Sequence, residues 1–201
     1  MRQRGRGAFL TLLSGAAPAH AHSPVPGIEG FYVGLLHPFS TPSQALLMLG
    51  LGFLVGAFAA EKARWLLVGF LVASLVGLAA EFRFSNLDPA LFSVALGACV
   101  LAALMPGRLA YLALMGAVAG GFLIGDASIP DDGPMQDRLF TMSGSIVGAN
   151  LALLYVFGAT QWINERYRHP SVGIVFRVAA AWAGAISLLM LALGISSAPG
   201  N

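Results

Sequence analysis

Six long apolar runs, at about residues 43–60, 64–80, 89–105, 109–125, 139–160 and 172–195, dominate this chain and dictate its solvent. Short polar breaks separate them: EKAR, EFRFSNLD, PGR, DASIPDDGPMQDR and NERYRHP. In lipid no water satisfies an open backbone, so an apolar stretch of about 20 residues spans the bilayer as a helix. The runs at 64–80 and 89–105 hold 17 residues each, so each borrows flanking apolar positions or sits at little tilt. Charged residues make up only 10% of the chain and hydrophobic ones 57%. Soluble domains carry roughly 25% charged residues. The expected fold is all-α, a polytopic membrane helix bundle of about six transmembrane helices. Pro42 and Pro89 stand where the first turn of a helix tolerates a missing amide.

The N-terminus reads as an address. MRQRGRGAFLTLLSGAAPAHA has three arginines, an apolar core from Ala8 to about Ala17, and small residues before a histidine. That order of basic, apolar and small segments is a cleavable secretory signal peptide, and its core is too short to span. Cleavage after Ala21 leaves His22 first; cleavage after Ala19 leaves His20-Ala21-His22. The organisation is then a signal peptide at 1–21, an extracytoplasmic segment with a short helix at 22–42, and the bundle at 43–201. Without Arg2, Arg4 and Arg6 the formal charge of +2 becomes −1, so the basic isoelectric point implies no nucleic-acid partner.

A start outside the cytoplasm assigns each break to a side. The inner breaks hold Lys62, Arg64, Arg108, Arg166 and Arg168, against Arg83 and Arg138 outside. Five against two obeys the positive-inside rule for short loops. Both mature termini then face outward. The outer side collects Glu29, Glu81, Asp88, Asp126, Asp131, Asp132 and Asp137. Such a negative mouth concentrates cations, although the positive-inside bias alone leaves acids outside.

Pairs at small-xxx-small spacing, Gly52/Gly56, Gly116/Gly120, Gly121/Gly125 and Gly144/Gly148, permit close helix approach in lipid. Ser143 and Asn150, seven apart, are expected on one helix face as interhelical glue. Arg177 lies just inside the last run and is expected to snorkel to the inner headgroups. No G-x-S-x-G, phosphate-binding loop or H-E-x-x-H motif occurs, and the single Cys99 lies in an apolar run. Neither an enzyme nor an internal disulfide is expected.

GFYVGLLHPFSTPSQALLMLGLG, Gly30 to Gly52, resembles the opening of the HupE/UreJ family of membrane proteins. Gly30, Phe31, Gly34, His37 and Pro38 match its G-F-x-x-G-x-x-H-P stretch in order and spacing. Ser43-Gln44 stands where the family carries Asp-His. AGGFLIGDAS stands where it carries a histidine-rich H-G-x-x-H-G stretch, so the chain looks like a divergent branch. The resemblance implies a six-span inner-membrane protein behind a signal peptide. It also implies a link to uptake of nickel or a related divalent cation beside hydrogenases and ureases, with metalloenzyme maturation proteins as partners.

Four residues are candidates for the metal. His37 precedes Pro38 at the entrance of the first span, either capping backbone there or facing a cavity as a ligand. Glu29 and Asp126 could add carboxylates from neighbouring outer segments. His22, placed third by cleavage after Ala19, could bind Cu(II) or Ni(II) with the amino terminus in the tetragonal nitrogen geometry those ions prefer. A permease or metal-handling protein for a nickel-like divalent cation is one expectation. A non-transporting accessory or scaffold protein for a metalloenzyme or other membrane complex is the alternative.

Overall fold

The computed structural model describes residues 28–130 and 134–196. The signal segment, His20, His22, Asp131 and Asp132 lie outside them. Among the described residues every element is helical: α1 (Ile28–Ser40), α2 (Pro42–Gly56), α3 (Ala60–Ala80), α4 (Asp88–Leu104), α5 (Ala110–Ala127), α6 (Met135–Arg166) and α7 (Pro170–Ser196). Helices α2 to α7 correspond in order to the six apolar runs.

Length separates them. Helices α3, α5, α6 and α7 are each long and apolar enough to cross a membrane. Helices α1 and α2 pass that test only as a pair, bent by 69°. Helix α4 is apolar but has 17 residues, about 25 Å at the usual rise per residue. Helix α6, at 32 residues, runs on into the first three residues of the expected NERYRHP break, and α7 begins at its Pro170, leaving a connection of three residues.

Helix α2 is the hub. Eleven of its fifteen residues are buried, which is how a helix apolar on every side behaves when other helices surround it. It packs against α4 and α6, while the remaining strong pairs are α1 with α6, α3 with α5, and α4 with α7. Matching neighbours give the directions. Gly50 of α2 lies against Ala95 and Cys99 of α4, and Gly52 and Gly56 lie against Val156 and Thr160 of α6. These three helices run the same way. Gly120 beside Leu47 and Gly116 beside Leu51 reverse α5 relative to α2. Gly184 beside Cys99, with Arg177 bonded to Ala103, reverses α7 relative to α4. The chain therefore alternates direction from α2 to α7. One end of the bundle gathers Lys62, Arg64, Arg108, Arg166 and Arg168.

Two contacts depend on glycine. A Cβ on Gly144 or Gly148 would collide with the carbonyl of Phe31 or Leu35 in α1, and one on Gly34 with the carbonyl of Thr141 in α6. Gly121 and Gly125 allow the same approach to Phe70 and Ser74 of α3. Small residues admit such backbone contact between membrane helices. In consequence α1 is not a peripheral appendage: it lies along the first half of α6. Its other side carries Tyr32, Val33, Leu36 and Phe39, each more than half exposed.

Candidate functional site

The bend between α1 and α2 breaks the backbone at the N-terminal end of the central helix. Pro38 does not cause it, because α1 continues through that proline to Ser40. Pro42 makes the break. A proline's ring pushes the preceding residue out of the helical region, and Thr41 has φ −95° and ψ 113°. His37 therefore sits in the last turn of α1, and its carbonyl accepts the Thr41 N–H at 3.1 Å and the Ser40 hydroxyl at 3.2 Å.

Across the bend the His37 ring is half-buried, with Nδ1 3.3 Å from Nε2 of Gln44. With the amide donating, Nδ1 is the acceptor and the ring proton sits on Nε2. Gln44 is buried at 2% exposure, and its Oε1 has no hydrogen-bond partner among the described residues. An unpaired buried acceptor costs roughly 1–3 kcal/mol, so this oxygen is a standing invitation to a donor or a cation. Next to it, the buried Ser43 hydroxyl donates to Oδ1 of Asp88 at 2.7 Å. Asp88 opens α4 and also lines a cavity of about 440 Å³ with Asn86 and Ser196, at the end of the bundle opposite the basic one. His37–Gln44 and Ser43–Asp88, two bonded pairs joined through the backbone of α2, form a line from the bend to that cavity.

The expected carboxylates do not join this line. Asp126, at the end of α5, is buried, and its two oxygens accept the backbone N–H groups of Arg83 and Phe84 at 2.9 and 3.1 Å. It clamps the turn after α3, where Glu81 and Arg83 hold left-handed φ values of 48° and 49°. Glu29 is exposed in the first turn of α1. Among the described residues no group of three or more His, Cys, Asp or Glu could hold a metal ion. His37, Glu29 and Asp126 therefore do not assemble into the expected one-nitrogen, two-oxygen site. His22 lies outside the described residues.

Several other polar groups in the helices are satisfied by one another or by backbone carbonyls. Ser128 and Ser145 hydroxyls are 2.9 Å apart, and Asn150 donates to the Ile146 carbonyl at 2.9 Å and reaches Ser74 at 3.5 Å. Ser143 does not share that role: it is exposed, and its hydroxyl turns back to the Phe140 carbonyl. Gln161 closes the other end of α2, donating to the carbonyls of Gly56 and Phe58 at 3.2 and 2.7 Å.

Sequence reasoning passed over Gln44 and Asp88 as members of the site. Gln44 lies seven residues after His37, the spacing that shares one face of a continuous helix, and that was the available signal. The chain matches no family model, no curated protein and no solved structure.

Proposed function

We propose that this protein is an inner-membrane permease or metal-handling protein for a nickel-like divalent cation, of the HupE/UreJ type. In this reading α2 to α7 make six passes behind a cleaved signal peptide, and the basic end faces the cytoplasm. Helix α4 crosses by borrowing the Leu87 and Met105 flanks. The supporting observation is the bent α1–α2 pair with a buried, unpartnered Gln44 oxygen beside the His37 imidazole. Interrupted helices are where transporters expose backbone and side-chain donors to an ion. An imidazole and an amide oxygen make a weak, transient station for a borderline cation, suited to passing an ion on. Asp88, at the outer cavity, is the carboxylate that would receive the ion first.

Cellular uptake of radioactive nickel, compared between wild type and His37→Ala at equal membrane abundance, tests the reading. Loss of uptake is the expected result. Normal uptake by His37→Ala would remove the permease reading. A second reading, a non-transporting accessory protein docked on a metalloenzyme or other membrane complex, draws on the exposed apolar stripe of α1, Tyr32, Val33, Leu36 and Phe39.

A further inference from the structure

Helices α2 and α7 leave between them an open apolar groove of about 590 Å³. Leu46, Leu49, Phe53, Val178, Trp182 and Ile186 line it, and Trp182 is 72% exposed. On α7 the lining runs from Ile174 to Ile186, about 18 Å at the helical rise. That length is close to half of a hydrocarbon core about 30 Å thick. Toward the basic end of the bundle lies a second cavity of about 200 Å³, and Phe53 lines both. This second cavity carries polar groups that the groove lacks, since Arg177, Asn164 and Thr160 are among its lining residues.

Arg177 is only partly used. Its Nε donates to the Ala103 carbonyl at 2.6 Å, and among the described residues that carbonyl is its only polar partner. Both terminal nitrogens, with four N–H groups, remain open. The Asn164 amide lines the same cavity and has no partner among the described residues either. A guanidinium with a free fork beside an amide suits a phosphate, which arginine holds in a bidentate manner. Lys62, Arg64, Arg108, Arg166 and Arg168 at the same end of the bundle add a positive field of the kind that draws anionic headgroups.

We propose that the α2–α7 face binds one anionic phospholipid from the leaflet at the basic end. Its phosphate sits against Arg177 and Asn164, and an acyl chain lies along the groove to Trp182. The two halves have complementary chemistry, and Phe53 joins them at the depth where a headgroup gives way to its chain. The site stands apart from the His37 bend and does not depend on metal transport.

Trp182 reports on this site. In a Trp65→Phe, Trp162→Phe background it is the only tryptophan, and both replaced rings are exposed. The protein is reconstituted in mixed vesicles of phosphatidylcholine and phosphatidylglycerol, with dibrominated chains on one lipid or the other, and quenching of Trp182 is measured. The expected result is a preference of about fivefold for the anionic lipid, as one arginine at a charged surface supplies. Arg177→Gln should reduce that ratio to near one. Asn164→Asp should do the same while leaving the Arg177–Ala103 bond in place, which guards against a folding defect in the first variant. Added inorganic phosphate should leave the ratio unchanged. An unaltered preference in both variants would overturn the proposal, as would its abolition by free phosphate. Protection of Trp182 from both lipids would also overturn it, by showing that another protein surface fills the groove.

Discussion

Gln44 reaches His37 across the bend between α1 and α2, placing its amide nitrogen 3.3 Å from the ring and burying its oxygen without a partner. The two groups separate cleanly by mutation. Gln44→Leu replaces a half-satisfied amide by an apolar side chain of similar size. Stability should hold or rise by about 1 kcal/mol, while nickel uptake falls at least tenfold. Thermal unfolding in detergent and cellular uptake, measured on the same preparation, check both halves.

Asp126 gives the opposite pattern. Its carboxylate holds the Arg83 and Phe84 amides, and hydrogen bonds to a charged group contribute about 1.5–3 kcal/mol. Asp126→Ala should therefore loosen the turn after α3. Hydrogen exchange at Arg83 and Phe84 should accelerate by at least tenfold, with uptake retained in the folded fraction. Loss of uptake at unchanged exchange would put Asp126 on the ion path after all.

The bundle was legible in the sequence because each helix in lipid must be a long apolar run. Pro42 likewise announced the start of α2, and Pro89 the start of α4. What could not be read was distance across the fold. Glu29, His37 and Asp126 are all outer-end residues by sequence, but the placement of α5 relative to α1, and of residues eight apart along α1, decides whether they meet. Asp126 carries no mark that says its partners are backbone amides 42 and 43 residues away. The Ser43–Asp88 bond is equally silent. Gly30 and Gly34 were visible only as letters of a family motif; the structure gives Gly34 a physical task, seating α1 on α6.

That seating is testable. A Cβ at Gly144 collides with the Phe31 carbonyl, and overpacking of this kind costs roughly 1–3 kcal/mol. Gly144→Ala should detach α1 and leave the other helices in place. Limited proteolysis should then cut between residues 28 and 40 several times faster than in wild type, with the helical circular dichroism signal reduced by no more than the share of α1.

The proposed orientation of the bundle rests on its alternating helices and its basic end. In a Cys99→Ala background, a cysteine at Asn164 should resist an impermeant thiol reagent in intact spheroplasts, and one at Ser196 should react. Alanine is the better replacement because Cys99 is buried against Gly50 and Gly184, where a hydroxyl would lack a partner. Labelling at position 164 under those conditions would remove the inner assignment of the basic end.

Helix α2 is made before α4 and α6, the helices that pack most heavily against it. Its fifteen residues cover about 22 Å, short of a bilayer, and Ser43 has no carboxylate to bond until Asp88 has been synthesised. The segment therefore cannot settle alone: α4 and α6 must arrive before its glycines find Ala95, Val156 and Thr160. The centre of the bundle is made ahead of the helices that pack most heavily on it and is the last part to be enclosed. A chain truncated after α5 would leave its hub open to lipid on the α6 side, and a quality-control protease should clear it faster than the full-length protein.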